Sequence, residues 1–114
     1  KTWEELGAQA KMIQDKGLLK TPIAWSWSQA EAAICDYTTL GSAYGGDFLK
    51  DGKPDFQNGG GASALKYMVD SYKSGLTNPN SKEFLEEDVR KVFENGDAAF
   101  ALNWTYMYNM ANDP

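Results

Sequence analysis

Two short apolar segments, far apart in the chain, set the strongest limit on what this sequence can fold into. Residues 23–27, which follow Pro22, and residues 97–103 are predicted to be short buried strands. Most other patterned segments have helical spacing of their apolar residues, and Asp51-Gly52 indicates a small hairpin. Two isolated strands do not form a stable sheet, so we expect them to pair with strands outside this segment. The prediction is a helix-rich α/β (α+β) layer in which residues 1–114 are a single segment.

The helices are predicted from caps and from apolar periodicity. Thr2 is a suitable N-cap for the first helix, and Gly17 a suitable residue to end it. Ser28 is the candidate N-cap of the second helix, and Gly59–Gly61 is expected to be a flexible lead-in to the third. The predicted helices cover residues 3–16, 29–44, 62–74, 81–94 and 104–111. Their apolar spacing predicts buried faces that include Ile34 in the second helix, Leu65 and Val69 in the third and Leu85 in the fourth.

The charge and the missing residue types exclude several classes of function. The net charge is -5, and the eleven basic residues are scattered singly along the sequence. A nucleic-acid binder needs a cluster of basic residues that displaces the counterions of the phosphates, and the sequence has no such cluster. The sequence has no histidine and a single cysteine, Cys35, which disfavours a zinc, copper or haem site and a Ser-His-Asp or Cys-His triad. We therefore predict no metal and no cofactor.

Two aromatic and polar corners follow the predicted strands. The first contains Trp25 and Trp27 with Gln29 just beyond them, and the second contains Asn103 and Trp104. Ligands of open α/β layers collect beyond the carboxyl ends of strands, where an indole can stack on a sugar ring and amides can bind its hydroxyls. Trp104 is predicted to face a ligand. Strand alternation places Trp25 and Trp27 on one face, which is either a wall of the site or part of the core.

The carboxylates do not form the pair that a glycosidase requires. Glu31 and Asp36 are five residues apart on one predicted helix and do not share a face well. The three acids of residues 86–88 are consecutive, and therefore point in different directions around their helix. We predict that the segment is not an enzyme, with a carbohydrate-active enzyme kept as an alternative because partner residues could lie outside it.

Four blocks of the sequence resemble the extracellular solute-binding proteins of carbohydrate ABC importers, of the maltose/trehalose-binding type. Residues 1–6 (KTWEEL) are similar to the family's P-K-T-W-E-E-L. Residues 25–46 begin with Trp, carry Gln29, Glu31 and Cys35, and close on Gly-Gly, as the corresponding family stretch does. Residues 93–100 resemble F-x-x-G-x-A-A-M, with Phe100 in place of Met, and residues 103–106 resemble N-W-x-Y.

The resemblance implies part of the second (C-terminal) lobe of a type II periplasmic-binding-protein fold, whose cleft closes on a sugar by a hinge motion. It implies an aromatic platform at Trp104 with Tyr106 nearby. It also implies a second cleft-facing stretch that contains Trp25, Gln29 and Glu31. Trp27 stands where a small residue is usual, and the Tyr that commonly precedes the Glu is replaced by alanine, so the ligand can differ from the usual disaccharide.

The same resemblance implies how the protein works in the cell. It would bind a carbohydrate outside the cytoplasm, in a periplasm or at the outer face of the membrane as a lipoprotein, and deliver it to ABC permease subunits. We expect a monomer that contacts no nucleic acid and reaches the membrane only through a lipid anchor outside this segment. Besides the enzyme, a lectin-like sugar-binding module and a structural domain whose aromatics are all core are the alternatives.

Overall fold

The computed structural model describes residues 1–46 and 48–114, and the elements within these residues form a helix-rich α/β fold, as predicted. The helices are α1 (Trp3–Asp15), α2 (Glu31–Ala43), α3 (Gly59–Lys73), α4 (Glu86–Glu94) and α5 (Met107–Ala111), with a 3-10 helix at Pro79–Lys82. The strands are β1 (Ile23–Ala24), β2 (Leu49–Lys50), β3 (Lys53–Pro54) and β4 (Phe100–Ala101).

The two predicted buried strands pair with each other. β1 and β4 run parallel, with Ile23 opposite Phe100 and Ala24 opposite Ala101, and Ile23 also bridges to Thr77. The two strands therefore have a partner within the segment, and pairing with strands outside it stays a prediction. The chain between them, with its helices, is long enough to make the crossover that parallel strands need. As a result, the carboxyl ends of β1 and β4 lie at the same edge.

Local signals place α1 and the hairpin correctly. Thr2 Oγ1 accepts a hydrogen bond of 3.1 Å from the Glu5 N–H, and a Glu5 carboxylate oxygen accepts one of 3.0 Å from the Thr2 N–H. This reciprocal capping box confirms the predicted start of α1. Asp51 and Gly52 connect β2 to β3 with positive φ angles of 51° and 74°, which confirms the predicted two-residue turn.

The start of α2 differs from the prediction. The Ala30 N–H donates to the Ser28 carbonyl at 2.6 Å in a turn, so the helix begins at Glu31 and Ser28 does not cap it. Ile34, which was expected on the buried face, is 65% exposed. The buried positions of α2 are Ala32, Asp36, Leu40 and Gly41.

The glycine triplet is the first turn of α3 and not a flexible lead-in, because α2 and α3 pack closely there. A Cβ atom on Gly60 would lie 2.4 Å from the Gly41 carbonyl oxygen and 2.5 Å from the Gly46 Cα. These are backbone atoms, which cannot turn aside as a flexible side chain can. Glycine is therefore required at position 60 by packing.

We expect Gly60→Ala to lower the free energy of unfolding by about 1–3 kcal/mol, because the added methyl group forces α2 and α3 apart. Gly7→Ala is the matched control, since a Cβ on Gly7 meets nothing within 4 Å. In the middle of α1 the control should be neutral or stabilising, by roughly 0.5–1 kcal/mol. Chemical denaturation of both variants checks this, and equal stabilities would contradict the close helix approach.

The later helices also differ from the predicted pattern. Leu65 and Val69 of α3 and Leu85 before α4 were expected inside but are 56%, 40% and 44% exposed. The fully buried residues of α3 are small: Gly60, Gly61, Ala64 and Ser71. α4 begins at Glu86 and not at residue 81 or 82, because residues 79–82 form a 3-10 helix instead. α5 begins at Met107 and not at residue 104, because Thr105 and Tyr106 form a turn before it.

An aromatic cluster forms the main core beside β1. The centroid of the Trp25 ring lies 5.5 Å from the centroid of the Trp3 ring and 5.3 Å from that of the Trp27 ring, on which Trp25 stacks. Tyr67 of α3 contacts it edge-on at 6.3 Å. Ile23, Leu40, Ala10 and Ala64 complete the buried centre. No helix of the described residues has the length and apolar character needed to cross a membrane.

Candidate functional site

A small pocket lies at the edge where β1 and β4 both end. Its volume is about 110 Å³. One wall follows β1 at Ser26, and the opposite wall follows β4 at residues 102–104. α2 supplies Asp36 and its neighbours, and Glu86 comes from the first turn of α4. The parallel pairing of the two strands is what brings these segments together, as expected for the carboxyl edge of an α/β layer.

Trp104 lies at this pocket and is 55% exposed. Its backbone N–H donates to Asn103 Oδ1 at 2.8 Å, and Asn103 Nδ2 donates to the Glu86 carbonyl oxygen at 2.8 Å. These two bonds attach the segment after β4 to the start of α4. The indole is therefore carried on a fixed backbone, with about half of the residue's surface open to a ligand.

Tyr106 is part of a second link between the same segment and α4. Its hydroxyl donates to Glu87 Oε1 at 2.6 Å, while Glu87 Oε2 accepts from the Arg90 guanidinium at 2.8 Å. The bond to Glu87 raises the pKa of Tyr106, and the Arg90 hydrogen bond is the main cause that lowers the pKa of Glu87. The Tyr106 hydroxyl therefore already has a partner in Glu87. The residue is nevertheless 39% exposed, so part of its surface stays open to a ligand.

Asp36 is the buried acid of the pocket, and only 5% of it is exposed. The backbone N–H and the hydroxyl of Ser26 both donate to Asp36 Oδ2, each at 3.3 Å. Burial raises the pKa of Asp36 to about 7, although the bonds from Ser26 act in the opposite direction and nearby Glu86 adds to the increase. Sequence reasoning weighed Asp36 only as half of a catalytic pair. Asp36 lies four positions from both Ala32 and Leu40, and this helical spacing indicates that it shares their inward face.

The first predicted corner divides into two faces, and the tryptophans are on the side away from the pocket. Trp25 is 1% exposed inside the aromatic core, which favours the core alternative that strand alternation left open. Trp27 is partly buried and stacks on it. Ser26, between them, faces the pocket because side chains alternate along extended backbone. Gln29 and Glu31 are exposed near the start of α2 and do not line the pocket.

The structure thus brings together Asn103 and Trp104 with two residues that were not predicted for the site, Ser26 and Asp36. Tyr106 is connected to them through α4. Within residues 1–46 and 48–114 there is no group of three or more Asp, Glu or Cys residues that could hold a metal ion.

The sequence model of one family, "Bacterial extracellular solute-binding protein", matches residues 1–114, which is the whole chain. The chain belongs to this family. The family resemblance seen in the sequence motifs is thereby confirmed, and the family places the chain outside the cytoplasm.

Solved solute-binding proteins have the same fold. The chain is 33% identical to maltose-bound MalE3 of T. maritima, with a TM-score of 0.89 over 98% of this chain and 29% of that one. An ABC transporter solute-binding protein from Thermotoga lettingae, bound with alpha-D-tagatose, is 27% identical, with a TM-score of 0.78 over 97% of this chain and 29% of that one.

A curated relative is similar over the same extent. It is named "Probable ABC transporter-binding protein", comes from Deinococcus radiodurans, and is 30% identical over 115 residues, 95% of this chain and 27% of the relative. The chain therefore spans less than a third of the length of the solute-binding proteins that it matches.

Proposed function

We propose that the protein carrying this chain binds a carbohydrate outside the cytoplasm and delivers it to an ABC importer. The observation that carries the proposal is the half-exposed Trp104, fixed beside a polar pocket at the shared carboxyl edge of β1 and β4. An indole on a fixed backbone next to polar groups suits a neutral, hydroxyl-rich ring. The maltose and tagatose in the two similar structures support the same ligand class.

We assign residues 1–114 to the second lobe of a two-lobed protein, in which this edge is one side of the cleft. Trp104 would stack on the sugar, and Tyr106 would extend the platform. Asn103 has both polar atoms of its side chain engaged, with Glu86 and with Trp104, and so its role is to position the indole. Gln29 and Glu31 are exposed and remain candidates for hydroxyl contacts, with Trp27 beside them.

The proposed role is binding without chemistry. The family consists of solute-binding proteins, and Glu31, which the sequence analysis rejected as a catalytic partner of Asp36, is exposed and does not line the pocket. The partners we propose are the carbohydrate and the permease subunits of the importer. We propose a monomer, either free in a periplasm or held at the outer face of the membrane by a lipid anchor.

Isothermal titration calorimetry of the complete protein and of residues 1–114 alone tests the proposal. With a panel of maltose, trehalose, glucose and tagatose, we expect at least one sugar to bind the complete protein with a submillimolar Kd. The 114-residue segment should bind the same sugar roughly 100-fold or more weakly, because it supplies only one side of the cleft and about 3 kcal/mol of contacts is missing. A Kd of the segment within about tenfold of that of the complete protein would contradict the two-lobed site. Failure of the complete protein to bind any sugar would contradict the ligand class.

A further inference from the structure

The pocket beside Trp104 contains a buried acid, Asp36, which the stacking of a sugar on Trp104 does not explain. We propose that it is a subsite for one hydroxyl-bearing substituent of the sugar, and that the Asp36 carboxyl group accepts the hydrogen bond that selects this substituent. This inference rests on the proposed function and names a specificity-determining residue for it.

The hydrogen bonds of Asp36 leave room for a ligand. A carboxylate has two oxygens and about four lone pairs, and buried polar groups are nearly always hydrogen-bonded. Both bonds from Ser26 go to Oδ2, whereas no described residue donates to Oδ1. Asp36 is 5% exposed and nevertheless contributes to the pocket wall. Its remaining capacity to accept hydrogen bonds is therefore available in the pocket.

The size of the pocket limits what can enter it. Its volume is about 110 Å³. A water molecule takes about 30 Å³ of the liquid, so the pocket has room for about three waters or one hydroxymethyl-sized group, and not for a whole sugar ring. The ring itself would remain on Trp104, outside the pocket, with a single substituent directed inward.

The charges around the pocket exclude an anionic substituent. Glu86 of α4 is the other acid that lines it, and Cys35 lies next to Asp36 on α2. The segments after β1 and β4 contribute Ser26 and residues 102–104, none of which is charged. Since a phosphate or carboxylate would meet two acids and no cation here, the fitting substituent is a neutral donor such as a hydroxyl group.

A thermodynamic cycle on the complete protein tests the subsite. Calorimetry compares wild type and Asp36→Asn, each with the tightest-binding sugar of the panel and with its monodeoxy analogues. Asparagine keeps one oxygen that can accept from Ser26 and replaces the other carboxylate oxygen by an amide NH2 group, so we expect the variant protein to fold. We expect one monodeoxy analogue to bind wild type at least 10-fold more weakly than the parent sugar. Asp36→Asn should lose most of this preference, because an amide bonds a hydroxyl group more weakly than a carboxylate does.

Asp70→Asn is the matched control, because it makes the same change at an exposed acid of α3 that does not line the pocket. This variant should keep the wild-type preference among the analogues. The subsite proposal is contradicted if Asp36→Asn keeps that preference. It is also contradicted if the substitution weakens binding of the parent sugar and of every analogue by the same factor, as a purely structural role of Asp36 would require. If wild type binds no sugar of the panel, the proposed function and the subsite both fail. Sugar binding with no discrimination among the analogues overturns the subsite alone.

Discussion

Replacing Trp104 with alanine is expected to weaken sugar binding by the complete protein by 30- to 1,000-fold, which corresponds to about 2–4 kcal/mol. The loss follows from the position of the indole, which is half exposed and fixed through Asn103 to the start of α4. A truncation at this position removes the aromatic surface and leaves Ser26 and Asp36 on the other sides of the pocket in place. Calorimetric titration of both proteins with the same sugar measures the effect.

The stability of Trp104→Ala should change little, because the residue is 55% exposed and belongs to neither buried cluster. Tyr108→Ala is the matched control: Tyr108 is an aromatic residue of α5, 74% exposed and outside the pocket. Its replacement should leave the Kd within about twofold, a difference well below 1 kcal/mol. Equal losses for the two variants would show that the platform is not at Trp104.

Trp25→Ala is expected to have the largest effect on folding, a loss of about 3–5 kcal/mol in the free energy of unfolding. Trp25 is 1% exposed and contacts the rings of Trp3, Trp27 and Tyr67. Alanine would leave a large cavity at the centre of these rings. Denaturant unfolding followed by circular dichroism measures the change, since the tryptophan signal itself is altered by the substitution.

Ile34→Ala provides the comparison for this loss, because Ile34 is an apolar residue that is 65% exposed on α2. Its replacement should change the stability by less than about 0.5 kcal/mol. If Trp25→Ala were as mild as Ile34→Ala and instead abolished sugar binding, the packing role assigned to Trp25 would be wrong.

Local chemistry explains which elements of the fold could be predicted. The capping box of Thr2 and Glu5 and the turn at Asp51-Gly52 involve residues within four positions of each other, and both are present as expected. The pairing of β1 with β4 joins residues more than seventy positions apart. No local pattern encodes such a pairing, which depends on how the intervening helices pack.

The helix faces were misassigned where close packing selects small residues. Counting large apolar side chains pointed to Leu65 and Val69, yet the buried face of α3 contains Gly60, Ala64 and Ser71. Two helices that approach this closely have room only for small side chains between them. Leu65 and Val69 consequently lie on the exposed side, so a helix face assigned from these two residues points away from α2.

The site was predictable only in part, for a related reason. The junction after β4 indicated Trp104 because strand ends collect ligands, and Trp104 does line the pocket at this edge. Alternation after β1 defines two faces but does not tell which of them packs in the aromatic core and which lines the pocket, so Trp25 and Ser26 could not be told apart. Asp36 was missed as a pocket residue because its hydrogen bonds from Ser26 cross ten positions of sequence.

A crystal structure of the complete protein with its sugar bound tests the central claim most directly. The account predicts a sugar ring within van der Waals distance of the Trp104 indole, at the carboxyl edge of β1 and β4, with one hydroxyl group directed at Asp36. A sugar bound elsewhere on the protein, with the Trp104 ring in contact with solvent or protein alone, would contradict it.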